Sequence, residues 1–389
     1  LTDSLTGPAE LRVAVDAEPL LGHRTGVGNF CYGLLSGLTD LPGDERAGLD
    51  LSAFAVTWRM RDALGPRLPR AVPLRGRPMP ARPLRTAWEK GLDLPLELFL
   101  GPVDVVHGSN FVVPPTWRAA RVVTVHDLVT LHYPEMCHPA TLIFPDLIRR
   151  AIRQGAWVHT PSQFVADEVL SAFGADPSRV RAVASGIPPL DRGLDDSDRS
   201  PDNRPTPFAR YILAVGTIEP RKDYPTLIRA FETVAGAVPD VGLVIAGAEG
   251  WGARAVYAQV AAARAADRIV RLGYVSDRQL GRLLRGSSVL AYPSRYEGFG
   301  FPPLQAMKAG IPVVATAVGS IPEVLGDGAL LVPPRDADVL AGALVEVLSD
   351  EQRWSALAAA GRRRARDFTW AQCARGLLGV YREAASGRG

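Results

Sequence analysis

The stretch YILAVGTIEPRKDYPTLIRAF, residues 211–231, runs from a near-continuous apolar strand through a glycine turn into a helical pattern. A strand apolar on both faces suits the interior of a parallel sheet, which helices cover on both sides. The same unit recurs downstream. VGLVIAGA (241–248), RIVRLGYV (268–275), SVLAYPS (288–294), IPVVATA (311–317) and ALLVPP (329–334) are each separated from the next by a helical pattern or a Gly/Pro turn. An earlier series comprises LRVAVDA (11–17), VDVVH (103–107), RVVTVHD (121–127) and AWVHTPS (156–162), with helices expected over 140–154 and 163–173. Two such series predict an α/β protein of two Rossmann-like, doubly wound domains. A length of 389 residues agrees with two cores.

Residues 188–210, PPLDRGLDDSDRSPDNRPTPFAR, are crowded with Pro, Asp, Ser and Asn. They place a linker at 196–210, between a first domain over 1–195 and a second over 211–368. Beyond lies a segment, 369–389, in which Thr369 could cap a helix burying Leu377, Leu378 and Val380. No apolar run approaches the ~18 residues of a membrane span. LTDSLTGPAELRVAV lacks a basic region followed by an apolar one, so no secretory signal is expected. Three scattered cysteines form neither a metal-ligand spacing nor a disulfide framework, which fits a cytoplasmic protein. A formal charge of +3 gives no argument for nucleic acid. Between Trp58 and Lys90, however, stand eight arginines against two acids, Asp62 and Glu89. That patch suits an anionic acceptor or peripheral contact with an acidic membrane surface, or else a solvated loop.

Ligands of open α/β sheets bind outside the carboxyl ends of the strands, here expected in the cleft between two domains. Four stretches follow strands in this way. GHRTGVGNF (22–30) offers Gly26 and Gly28, with Asn29, before a helix start; it is not a dinucleotide fingerprint, because position 31 is Cys. VHDLVTLHYPEMCHP (125–139) puts His126 at a strand end, and its spacing from His132 and His138 argues against a metal pair. GTIEPRKD (216–223) places Arg221 and Lys222 in a turn suited to a phosphate, or simply to water. RYEGFGFPPLQAMKAG (295–310) sets Glu297 before bare glycines and a helix from about Pro302 to Lys308. The helix start favours a diphosphate and the carboxylate favours sugar hydroxyls, so a sugar carried on a diphosphate satisfies both.

Residues 297–334, with GTIEPRKD, VHD and RTGVGNF, resemble the retaining GT-B glycosyltransferases of family 4, in particular the mannosyltransferase-like branch. The resemblance covers nearly the whole chain. It implies a nucleotide-sugar donor held by the C-terminal domain, an acceptor held by the N-terminal one, and a last helix crossing back. It implies roles for Glu297 on the donor sugar, beside Phe299, Gly300 and Phe301, and for Arg221 and Lys222 on the diphosphate. Gly26 to Asn29 would form a loop closing over the phosphates, and His126 would lie near the reaction centre. Gly216, Thr217, Tyr274, Val275 and Leu304 complete the expected donor site. No metal and no cofactor are implied; the acceptor would be a glycan, a lipid-linked molecule or a secondary metabolite. Gln305 departs from the family's second glutamate and lacks its charge-assisted grip on ribose, which makes a dTDP-sugar more plausible. Thr217 departs where some members carry an arginine. GDP-mannose is the donor favoured by the branch. A UDP- or dTDP-sugar, an epimerase of the same fold and a binding protein without chemistry stand as alternatives.

Overall fold

The computed structural model describes residues 10–22, 24–89, 91–190 and 206–387. Most of the expected linker therefore lies outside the described residues. The chain forms two compact units. The first comprises the chain as far as Leu131, Ala140–Gly186 and the stretch from Phe368 on; the second comprises His132–Pro139 and Ile187–Asp367.

In the first unit, strands β1 (Leu11–Asp16), β2 (Leu49–Phe54), β3 (Val105–Gly108), β4 (Ala120–Thr124), β5 (Trp157–Thr160) and β6 (Val180–Ala182) form one parallel sheet in the order β2-β1-β3-β4-β5-β6. Val13 lies opposite Leu51 on one side and Val105 on the other. Strands β2 and β6 were not expected. LDLSAF alternates apolar and polar residues rather than running apolar, and β6 is three residues, VRA, with an arginine at its centre. Helix α1 (Gly26–Thr39) follows β1. Gly26, Gly28 and Asn29 belong to its first turn and not to a closing loop. Thr25 holds the extended N-cap conformation, and the Asn29 amide already donates to the Thr25 carbonyl at 2.8 Å.

The second unit carries β7 (Arg210–Val215), β8 (Val241–Ala246), β9 (Ile269–Gly273), β10 (Val289–Tyr292), β11 (Val313–Thr316) and β12 (Leu330–Val332). Their order, β12-β11-β10-β7-β8-β9, is that of a dinucleotide-type doubly wound sheet, and every pair is parallel. Leu213, Leu243, Val244, Leu290, Val313 and Val314 are fully buried, as a sheet covered on both faces requires. Strand order reverses between β7 and β10. Helix α2 (Tyr224–Ala237) follows β7, and α3 (Phe301–Ala309) follows β10.

The chain then returns to the first unit as α4 (Trp370–Ser386). Thr369 and Gln372 close a reciprocal capping box at its start, and Leu377, Leu378 and Val380 are buried. Trp370 fills a seat left by glycines. A Cβ on Gly33 would overlap its ring, one on Gly37 would lie 2.6 Å from its carbonyl oxygen, and one on Gly186 would meet its amide. A buried hydrogen-bonded chain ties α4 to the sheet. His159 Nε2–H donates to the Val183 carbonyl (3.0 Å), which leaves Nδ1 to accept from Thr124 Oγ1 (2.9 Å). Thr124 then accepts from His107 Nε2 (2.7 Å), and His107 Nδ1 accepts from the Tyr381 hydroxyl (2.6 Å). Every member is neutral in this arrangement, and burial lowers both imidazoles, His159 to about 4.

Candidate functional site

The switch point of the second sheet brings together the turn after β7 and the turn after β10, 75 residues apart in the chain at Lys222 and Glu297. Gly216 ends β7 at φ 151°, and a Cβ there would press on Lys222 Cε at 3.1 Å. Tyr224 Oη donates to the Gly216 carbonyl at 2.7 Å and steadies the turn. Pro220–Lys222 form one 3₁₀ turn, after which Asp223 takes the left-handed conformation at φ 47° and starts α2.

Glu297 is buried, and both its oxygens are engaged. Oε1 accepts from Lys222 Nζ (2.6 Å) and Ser294 Oγ (2.6 Å); Oε2 accepts from Arg221 Nη1 (2.7 Å). Arg221 reaches Glu219 Oε1 with its other nitrogen (2.7 Å), and Lys222 also donates to Tyr292 Oη (3.0 Å). The Glu297 carbonyl accepts from Ser320 N and Oγ (3.0 and 3.1 Å), and Gly319 at φ 55° permits that approach, since a Cβ would strike the same oxygen. Burial alone would raise the Glu297 carboxyl. The charges of Arg221 and Lys222, with the hydrogen bonds from Lys222 and Ser294, outweigh it and hold the group at about 2. Burial lowers Lys222, and Glu297 opposes that shift. Two cations and two carboxylates give this cluster a formal charge of zero.

Gly300, at φ 101°, caps α3 without a side-chain bond. Pro302 and Pro303 bring no N–H, so the donors of this helix start reduce to the amides of Gly300 and Phe301. The Phe299 and Phe301 rings meet edge to face at 5.3 Å. Gln305 is 5 % exposed and its side chain has no hydrogen-bond partner among the described residues. Leu304 is fully buried. Thr217 packs in the turn after β7, and Tyr274 (exposed) and Val275 follow β9 at the sheet edge.

His126 lies in the first unit, directly after β4. Its Nε2 donates to the Ser109 carbonyl at 2.8 Å, and its ring stands edge-on to Phe30 (5.2 Å) and Phe111 (5.5 Å). Burial lowers it to about 4, so the imidazole is neutral and Nδ1 is an acceptor. Among the described residues no three His, Cys, Asp or Glu side chains converge to hold a metal ion, and no helix is long and apolar enough to cross a membrane.

Sequence reasoning named Arg221, Lys222 and Glu297 but missed that they bind one another, and it missed Ser294, Tyr292 and Glu219. Ser294 had a signal: a hydroxyl closing an otherwise apolar strand, three residues before the acid.

Residues 198–364 match the family Glycosyl transferases group 1, and residues 25–189 match Glycosyltransferase Family 4. The chain is 30% identical over 289 residues to O-antigen chain mannosyltransferase B of Escherichia coli, covering 72% of this chain and 74% of the relative. It is 28% identical over 305 residues to D-inositol 3-phosphate glycosyltransferase of Stackebrandtia nassauensis (73% and 69%). Among solved structures, sucrose-phosphate synthase from Thermosynechococcus elongatus superposes with a TM-score of 0.72 at 20% identity, over 96% of this chain and 99% of that one. HepE from Anabaena, in complex with UDP and glucose, gives 0.69 at 17% identity, over 95% and 99%. Two six-stranded parallel sheets in these orders are the GT-B architecture, and the chain belongs to the group 1, family 4 glycosyltransferases, which use nucleotide-sugar donors.

Proposed function

We propose that this protein transfers a hexose, mannose from GDP-mannose in first place, to an acceptor hydroxyl with retention at the anomeric carbon and without a metal ion. The observation that carries the reading is the Arg221–Glu297–Lys222 cluster at the switch point, beside the start of α3. The mannose assignment draws on the Escherichia coli relative's name. In the cluster Glu297 holds the two cations in place and neutralises them. An arriving diphosphate competes for those cations, and as they turn to it the Glu297 carboxylate becomes available to sugar hydroxyls. The amides of Gly300 and Phe301 add donors for the phosphate.

As the anomeric C–O bond to the diphosphate breaks, negative charge grows on the departing oxygen, where Arg221 and Lys222 stabilise it. The acceptor oxygen bonds to the anomeric carbon on the same face, and its proton passes to that departing phosphate oxygen. His126 is neutral, with Nδ1 left to accept a hydrogen bond. Gln305 supplies one donor and one acceptor toward the ribose, which favours a dTDP-sugar as the second reading.

Calorimetric titration with GDP, UDP, dTDP and ADP in the presence of a chelator tests this directly. GDP binding tightest supports the first reading. If dTDP wins, the donor assignment passes to the second reading, and Gln305→Glu should then restore preference for ribonucleotides. Absence of binding by all four would refute the donor site.

A further inference from the structure

A cavity of about 490 Å³ opens in the first unit beyond the carboxyl ends of β1 and β3, where that sheet reverses its strand order. Val56, Val113, Ile143, Phe144 and Leu147 give it an apolar wall. Its polar lining includes Asp16, the last residue of β1, and Asn110, just after β3. One Asp16 oxygen accepts the Glu18 amide at 2.9 Å; the other has no hydrogen-bond partner among the described residues, and neither has the Asn110 side-chain amide.

The turn that carries Asn110 is strained. Phe111 takes φ 60°, a conformation unfavourable for an aromatic residue, while its ring stacks on Phe144 at 4.8 Å. Backbone strain of this kind persists where surrounding contacts enforce it, and it clusters at ligand sites.

Both lining arginines are engaged: Arg85 pairs with Glu18 (2.6 Å) and Arg150 with Asp93 (2.5 Å). Asp16 has no such partner, so the lining carries three carboxyl groups against two guanidinium groups, and because burial raises the Asp16 carboxyl its net charge is zero or negative, never positive. An anion entering here would meet no excess of positive charge. Of the described arginines in the Trp58–Lys90 segment, Arg85 alone lines this cavity, and it is paired with Glu18.

We propose that this cavity holds the acceptor of the transfer reaction, an uncharged alcohol with an apolar body. Its hydroxyl donates to the unpaired Asp16 oxygen, Asn110 bonds a neighbouring oxygen, and the apolar part lies along Ile143, Phe144 and Leu147. Burial, with the charge of Glu18, raises the Asp16 carboxyl to about 7. A neutral alcohol can bond to that group in either protonation state. The word acceptor rests on the transferase reading; the cavity and its ligand chemistry do not.

The test is calorimetric titration of the whole protein with n-hexyl β-D-glucopyranoside, methyl β-D-glucopyranoside and n-hexyl phosphate. The hexyl glucoside should bind at least ~10-fold more tightly than the methyl one, because five more methylenes leave water, and more tightly than the phosphate. Ile143→Glu, at a residue 42% exposed and so tolerant of substitution, should weaken hexyl glucoside binding ~5-fold or more. Asp16→Asn should weaken both glucosides, and both variants should bind nucleoside diphosphate as the parent does. Equal affinity for hexyl and methyl glucosides, preference for the phosphate, or an indifferent Ile143→Glu would each overturn the proposal. If nucleotide binds and the glucosides fail these criteria, only the cavity assignment falls. If no nucleotide binds while the hexyl preference holds, the transferase reading falls and the ligand class stands.

Discussion

Replacing Glu297 by Gln removes one negative charge and almost no volume, so it isolates the electrostatics of the cluster. In the parent the carboxyl sits at about 2 against an ordinary 4.5, a net preference for the ionised form despite burial. At 1.36 kcal/mol per pH unit, that is about 3 kcal/mol of folding stability at neutral pH. It is fully present above pH 4.5 and lost as pH falls toward 2, because the native pKa is the lower of the two. A neutral amide forfeits that amount and leaves Lys222, 9% exposed, without its nearest counter-charge. For a unit of this size, ~3 kcal/mol corresponds to a fall in Tm of roughly 6–12 °C. The cluster's formal charge rises from zero to +1, so nucleoside diphosphate should bind as well as before or better, while transfer falls because the carboxylate offered to sugar hydroxyls is gone. Scanning calorimetry, nucleotide titration and a transfer assay on the same preparation give the three readings. Unchanged melting, or nucleotide affinity reduced more than ~10-fold, would refute the role assigned to Glu297.

Lys222→Ala and Arg221→Ala should each lower turnover by ~100-fold or more, measured as sugar released from the donor, since each removes a charge from the departing diphosphate; ordinary turnover in both would disprove the assignment. Gly33→Ala should destabilise by about 1–3 kcal/mol through collision with Trp370, although an unobstructed Gly→Ala change inside a helix would stabilise by ~1 kcal/mol. The sign of the change in denaturant midpoint therefore decides whether the tryptophan seat is real. His159, lowered to about 4 by burial, contributes stability that is complete above its ordinary 6.5 and declines as pH falls, by about 2 kcal/mol at pH 5. Asp16 is raised and works in the opposite direction, so the measurement is the difference in pH dependence between the parent and His159→Gln. Parallel stability–pH curves would show that His159 is not held neutral.

Strands were legible where helices cover both faces, because burial demands unbroken apolar runs; β7, β8 and β10 are the clearest cases. Strand β2 escaped because LDLSAF presents polar residues on one face, and β6 because three residues carry no period. The start of α1 was expected as a closing loop because the family resemblance implied one, whereas the chain is already helical at Gly26. Two further glycines in that helix are explained by a tryptophan more than 330 residues away, which no local window contains. The same limit applies to the site. Local chemistry marked Arg221, Lys222 and Glu297 as anion and hydroxyl ligands, but their mutual pairing depends on β7 lying beside β10. His107 and His159 sat inside apolar strands, where an imidazole has to find a buried partner; the partners, Thr124 and Tyr381, come from other parts of the chain.

The return of α4 to the first unit has a consequence for biosynthesis. The first unit's sheet is complete once Ala182 has been made, yet α1 waits for Trp370 and His107 waits for the Tyr381 hydroxyl. Between them lie Ile187–Asp367, the bulk of the other unit. At ~5–20 residues per second, synthesis of that segment occupies roughly 10–35 s. During that interval the glycine-lined face of α1 lacks its tryptophan and His107 Nδ1 lacks the Tyr381 hydroxyl. The second unit, whose sheet is contiguous in the chain, can close first. The domain synthesised first is thus the one finished last, and a ribosome-bound chain stalled before residue 368 presents a natural surface for a chaperone.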